Sequence, residues 1–117
     1  AAADAPETLL GYAMYETAAT PEAPVTERLG DVPAGHLSKL YVLAEGRGTG
    51  LAEALVHDGV ERLRRLGFRH VWLGTNAQNA RANRFYERLG FETVGARQFV
   101  VGGERVEDDW VRLLTVA

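Results

Sequence analysis

A chain of 117 residues with 46% hydrophobic content is long enough to enclose one core, so a single domain over 1–117 is expected. It has no cysteine, which excludes disulfides, thiolate metal sites and a cysteine nucleophile together, and its net charge of −3 argues against a general nucleic-acid binder. No run approaches the ~18–20 apolar residues that span a bilayer. No signal-peptide pattern is present either, so a cytoplasmic protein without a membrane partner is expected, although the start at Ala1-Ala2-Ala3 without Met fits a processed or cut end.

The imperfect alternation of Leu9–Thr17 predicts a first strand. Thr20–Gly35 carries Pro21, Pro24 and Pro33 among polar residues and reads as a long loop. His36–Leu43 is rich in branched and aromatic residues and predicts a second strand. After Ala44–Gly50 comes an amphipathic helix over Leu51–Leu66, its apolar positions being Leu51, Leu55, Val56, Leu63 and Leu66. Asp58–Arg62 and Glu61–Arg65 are acid-before-base pairs four apart, which favour that helix. Gly67 should stop it in the left-handed conformation, with Phe68 folding back on the last turn.

Arg69–Thr75 predicts a strand and Asn79–Leu89 a shorter helix. That helix ends in Arg88-Leu89-Gly90-Phe91, the same tetrapeptide as Arg65-Leu66-Gly67-Phe68, which is one helix stop used twice and no sign of a duplicated domain. Strands Glu92–Val101 and Val106–Thr115, joined at Gly102-Gly103, close the chain as a hairpin. The succession implies one α/β or α+β domain with a mixed sheet.

Charge is unevenly spread. Residues 1–46 hold seven acids and two bases, whereas 47–97 hold five acids and nine arginines. A basic middle suits an anionic ligand such as a nucleotide phosphate, but most of these arginines read more simply as a solvated helix face. The sharper signal is Arg47-Gly48-Thr49-Gly50-Leu51-Ala52 between a strand and a helix N-terminus. Free N–H groups and the macrodipole favour an anion there, small residues let a pyrophosphate approach, and Arg47 can add a charge-assisted contact. No Gly-Lys-Ser/Thr follows, and no G-x-G-x-x-G begins at Gly46 or Gly48, so the commoner nucleotide loops are absent. A glycine-rich turn without any ligand is the competing reading.

With Leu40-Tyr41-Val42 ahead of it, this loop resembles the Arg/Gln-x-x-Gly-x-Gly/Ala motif of the GCN5-related N-acetyltransferase (GNAT) superfamily. Ala44 and Gly46 depart from the residues frequent at those turn positions, proline and an aromatic. Asn79-x-x-Ala82-x-x-Phe85-Tyr86-x-x-Leu89-Gly90-Phe91 resembles the second motif of the same superfamily. The resemblance implies a largely antiparallel twisted sheet flanked by helices, and acetyl-CoA as co-substrate. Leu40, Tyr41, Val42 and Leu43 would meet pantetheine in a splayed gap, with an N–H near Leu43 polarising the thioester carbonyl. Arg47 to Ala52 would hold the pyrophosphate. Asn79 would bond pantetheine amides, Ala82 would leave room beside the cofactor tail, and Phe85 would pack on the core.

Helical spacing puts Asn79, Ala82 and Tyr86 on one face. A phenol is protonated near neutrality and can donate to a departing thiolate, so Tyr86 is the candidate general acid, against the plainer reading of a half-buried core tyrosine. The base is not legible. Ribosomal-protein N-terminal acetyltransferases, which the chain otherwise resembles, often carry Glu where Gly74 stands. His36 and Glu45 flank the cofactor strand but read as structural or solvated, and His57 and His70 lack partners at metal-ligand spacing, so no metal is expected.

Trp72-Leu73-Gly74-Thr75, the stretch Gly95–Gly102 and the acids Glu107, Asp108 and Asp109 resemble the spermidine/spermine acetyltransferase branch. That implies a small primary amine or polyamine as acceptor, although an ordinary charged hairpin explains the acids equally well. Superfamily domains carry a first strand and two helices ahead of this region, so the chain is expected to lack that wall of the acceptor cleft unless it lies outside the given residues or a partner supplies it. Family members pair through late strands, which implies a homodimer. The alternative function is a catalytically silent coenzyme A-binding regulatory module.

Overall fold

The computed structural model describes residues 10–18, 21–103 and 105–116, without the side chains of 45, 99–101 and 105–107. Leu9 and the side chains of Glu45 and Glu107 therefore lie outside the described residues. Five strands form one sheet: β1 (Gly11–Glu16), β2 (Gly35–Val42), β3 (His70–Asn76), β4 (Glu92–Val101) and β5 (Arg105–Thr115), in the order β1-β2-β3-β5-β4. Among the described residues only the β2–β3 pair is parallel. The expected largely antiparallel mixed sheet flanked by helices is what forms.

Among the described residues three α-helices cover it: α1 (Ala23–Leu29), α2 (Leu51–Arg65) and α3 (Ala80–Arg88). The two-residue alternation of β3 sends Val71 and Leu73 to one face and Trp72 to the other. Beneath α2 and α3, these two join Leu37, Val56, Val60, Leu63, Tyr86 and Phe91 in one core. Trp72 joins Val25, Ala34, Val111 and Leu113 in a second core, where Val25 comes from α1.

Helix α1 corrects the long loop expected between Thr20 and Gly35. Proline is tolerated in a first helical turn, where its missing N–H has no intrahelical role, and one stands at that point of α1. Tertiary contact then makes the helix worthwhile. Val25 is fully buried, and a Cβ on Gly95 would lie 2.5 Å from Pro24 Cβ, so that glycine admits the helix to the sheet. Glu22 and Arg28 add ion pairs to Arg97 and Glu92, both at 2.7 Å.

The later elements agree with the sequence reading within a residue. Both helix stops form: Phe68 N–H reaches Leu63 O at 2.9 Å and Phe91 N–H reaches Tyr86 O at 3.0 Å, with Gly67 and Gly90 at φ 100 and 98°. Leu66 is a correction, being 68% exposed; the interior of α2 is taken up by Gly59 and Val60 instead. A Cβ on Gly59 would sit 2.0 Å from the Tyr15 ring, so a glycine that costs about 1 kcal/mol of helix propensity makes the seat for β1. Tyr15 Oη donates towards the Leu55 and Val56 carbonyls at 3.3 Å, and burial raises its pKa far above the ordinary phenol value.

Two irregularities of β2 shape the sheet beside α2 and α3. The β1–β2 register jumps from Met14↔Lys39 to Tyr15↔Leu37, which leaves Ser38 as an extra residue on β2. Leu37 and Leu40, three apart, consequently both pack on the α2/α3 core. And β2 pairs with β3 only at Gly35↔Val71 and His36↔Trp72, whereas β3 pairs with β5 over seven positions from His70 to Asn76. Beyond His36 the two parallel strands part.

Candidate cofactor and acyl-transfer site

The parting leaves backbone groups of β2 without the neighbour a sheet normally supplies. Leu43 N–H donates to Leu10 O at 2.6 Å, on the β1 side. Antiparallel ladders alternate inward and outward pairs, so Leu40 and Val42 turn their N–H and C=O away from β1, towards the gap. The amide of Leu43 itself is thus already bonded, and its neighbour Val42 is the residue at that end of β2 whose amide faces the gap.

A cleft of about 710 Å³ runs along that gap to the start of α2. Leu40, Tyr41 and Val42 line it, with Arg47, Gly48, Gly50, Leu51 and Ala52 from the turn and Asn79, Ala82, Phe85 and Tyr86 from α3. Thr49 is not among the lining residues; its hydroxyl donates to the Gly46 carbonyl and ties the turn. Gly48 and Gly50 stand at φ 76 and 83°, a region that favours glycine, and a Cβ at either would meet nothing within 4 Å. The first intrahelical bond of α2 runs from Ala54 N–H to Gly50 O at 3.0 Å, so the amides ahead of it are open to an anion.

Arginine dominates the charge of the cleft. Arg47, Arg81, Arg84 and Arg88 line it against one acid, Glu53. No carboxylate among the described residues lies within ion-pair distance of these four. The arginines of α2 behave as the sequence reading expected of a solvated face: Arg62 pairs with Asp58 at 3.1 Å, and Arg64 and Arg65 pair with Glu61. The α3 arginines were missed, although their spacing of three and four along one helix stripe was a legible signal.

A second cavity of about 430 Å³ is lined by Tyr12, Ser38, Lys39, Gly74, Thr75 and Asn76 among others. Leu40, Tyr41, Asn79, Ala82 and Tyr86 border both cavities. Tyr86 is 9% exposed, its ring set edge-on to Phe85 and Phe91 at 5.2 and 5.7 Å between centroids. Burial raises its pKa above the ordinary phenol value, which keeps the hydroxyl protonated at neutral pH. Asn79 caps α3, its Oδ1 accepting from Ala82 N–H at 3.1 Å, so only its NH2 end is left for a ligand.

The seat of α3 comes from a residue that sequence reading passed over. Arg112, 4% exposed, donates through Nε to Asn83 Oδ1 at 3.2 Å and through Nη1 to Phe91 O at 3.0 Å. Asn83 in turn donates to the Asn76 and Asn79 carbonyls at 3.0 and 2.9 Å.

Other sequence candidates lie elsewhere. His36 stacks on Trp72 at 3.8 Å between centroids, lies 3.2 Å from Glu16 and borders neither cavity. Desolvation lowers its pKa against the pull of Glu16. Asp109 is paired with Arg97 at 3.0 Å, and the exposed Asp108 accepts from Gln98 at 3.0 Å. A Cβ at Gly74 would press on the guanidinium of Arg97, which Glu22 and Asp109 hold in place.

An open helix N-terminus beside a parted parallel pair, with a buried tyrosine at the inner end, is an acyl-coenzyme A architecture, and the sequence places it: residues 1–91 match the acetyltransferase (GNAT) family, to which the chain belongs. Members of this family use acetyl-CoA. The chain is 44% identical over 82 residues to an uncharacterized N-acetyltransferase of Mycobacterium tuberculosis, covering 70% of this chain and 52% of that protein. It is 40% identical over 91 residues to a mycothiol acetyltransferase of Parafrankia sp., covering 71% of this chain and 28% of that one. Its fold is similar to that of Arabidopsis thaliana NAA60 in complex with a bisubstrate analogue, with a TM-score of 0.79 and 23% identity, covering 95% of this chain and 67% of that chain. The chain thus spans about half the length of the first of these curated relatives.

Proposed function

We propose that this chain is the acetyl-CoA-binding and catalytic part of an N-acetyltransferase that acetylates a small primary amine. The observation that carries the reading is the position of Tyr86, a buried protonated phenol bordering both the cofactor cleft and the second cavity. The pyrophosphate takes the open amides of the Gly48–Ala52 turn with Arg47 beside it. Pantetheine runs past Leu40 and Val42 in the place of the missing strand neighbour, with the NH2 of Asn79 on one of its amides, and brings the thioester to Tyr86. The Val42 amide, rather than that of Leu43, polarises the thioester carbonyl.

Acetyl-CoA supplies an activated acyl carbon. The neutral amine attacks it from the second cavity, the C–N bond forms and the C–S bond breaks. Tyr86 gives its proton to the departing sulfur, and the nitrogen loses one proton to solvent or to a water chain, which returns a proton to the Tyr86 phenolate, since no carboxylate or histidine among the described residues borders the second cavity. Lys39 is the charged residue lining that cavity, and Asp108 and Asp109 are engaged elsewhere. A small amine with one positive charge therefore fits it better than a polyamine. The homodimer and the single-domain organisation remain part of the same proposal.

The test is coenzyme A release from acetyl-CoA across an amine panel that includes spermidine. Saturable transfer to a small monoamine supports the reading. Tight acetyl-CoA binding without turnover on any amine would favour the silent regulatory module instead.

A further inference from the structure

The cleft holds more positive charge than a pyrophosphate needs. The turn offers that group several backbone amides and Arg47, yet Arg81, Arg84 and Arg88 line the α3 side of the same cleft. Their spacing puts them on one stripe of α3, and Arg84 and Arg88 are like charges four apart, an arrangement that destabilises a helix. Helix α2 of the same chain avoids that cost, each last-turn arginine having an acid in step. Glu87, the acid of α3, is absent from the cleft lining. Arg88 is steadied with its guanidinium carbon 5.6 Å from the centre of the Phe85 ring. A helix that turns to a cleft a cationic stripe with no ion-pair partner among the described residues is built for a second anion.

We propose that Arg81, Arg84 and Arg88 form a subsite for the ribose 3′-phosphate of coenzyme A, so that the chain discriminates against 3′-dephospho-coenzyme A. The subsite rests on the proposed cofactor role of the cleft and adds to it the groups that tell one nucleotide from the other. Besides its diphosphate, coenzyme A carries a phosphomonoester with a charge near −2 at neutral pH. Guanidinium groups match the geometry of such a group through paired N–H donors. The open turn alone would bind both nucleotides equally, because it meets only the diphosphate they share.

Calorimetric titration of the full chain with acetyl-CoA and with its 3′-dephospho form, at about 0.15 M ionic strength, tests this. The dephospho form is expected to bind about tenfold or more weakly. The double variant Arg84→Gln/Arg88→Gln should close that ratio by weakening acetyl-CoA alone, while Arg62→Gln/Arg65→Gln on α2 should leave it unchanged. Equal affinity of the unmodified chain for both nucleotides overturns the subsite and leaves the cofactor cleft standing. A ratio that falls as far in the α2 variant also overturns it, by assigning the effect to overall charge. If a chain folded by circular dichroism binds neither nucleotide, the cofactor reading falls and takes this subsite with it.

Discussion

The two faces of the sheet treat polar groups in opposite ways. On the α1 face charges find each other: Arg97 bridges Glu22 and Asp109, Arg28 meets Glu92, and His36 lies against Glu16. On the cleft side of the α2/α3 face the cations of α3 and the first amides of α2 stay open, and β2 turns its inner backbone to a gap. The same chemistry thus serves cohesion on one face and readiness for a ligand on the other. Unmet hydrogen-bonding and charge capacity, gathered in one place, separates a site from a merely charged surface.

Substitutions can break this contrast, the largest effect belonging to Tyr86. Tyr86→Phe removes the proposed proton donor and keeps the ring between Phe85 and Phe91, so kcat should fall about 10²-fold or more while acetyl-CoA affinity changes little. Parallel loss of both in kinetics and calorimetry would make the residue a packing element. Next in size, Gly50→Val places a branched side chain at φ 83° and on the anion's approach. Its affinity for acetyl-CoA should drop about tenfold or more, and unchanged affinity in a folded variant would remove the turn from the site.

On the other face the expected cost is in stability. Arg97→Met strands the buried Asp109 and should lower unfolding free energy by about 1–3 kcal/mol, less than for a fully buried pair because Arg97 is partly exposed. Denaturant midpoints measure the loss, with acetyl-CoA affinity unaltered; a matching fall in affinity would show that the faces are coupled. The smallest effect concerns His36, whose pKa in the fold is depressed by desolvation in spite of Glu16. A depressed pKa contributes stability above the unfolded value of about 6.5 that is lost as pH falls through the folded value. Between pH 7.5 and 5.5 the urea midpoint should therefore drop, and the drop should shrink in His36→Gln. An unchanged drop would place the acid sensitivity elsewhere.

The faces also differ in how far the sequence announced them. The glycine turn, both helix stops and the Asn79–Tyr86 face depend on local conformation and spacing, so they were readable. Helix α1 was not, since its reasons lie seventy residues away in sequence, in the space above Gly95 and in Arg97. Nor was the bulge at Ser38, which changes no composition and yet turns Leu40 to the cleft. Arg112 reads as an outward residue of a strand until Asn83 and the Phe91 carbonyl are seen around it. The α3 arginines fall between these cases, because their spacing was visible but their want of an ion-pair partner among the described residues is a property of the fold.

The parting of β2 from β3 has a consequence for the motions of the whole chain. With only two register pairs between them, the β1–β2 leaf and the β3–β5–β4 leaf are held together beyond His36 by the core under α2 rather than by backbone bonds. The inner amides of Leu40 and Val42 should be among the first strand protons to exchange with deuterium. A nucleotide whose amides take up those bonds would then act as a sixth strand, slowing exchange on both leaves at once and making their unfolding a single event.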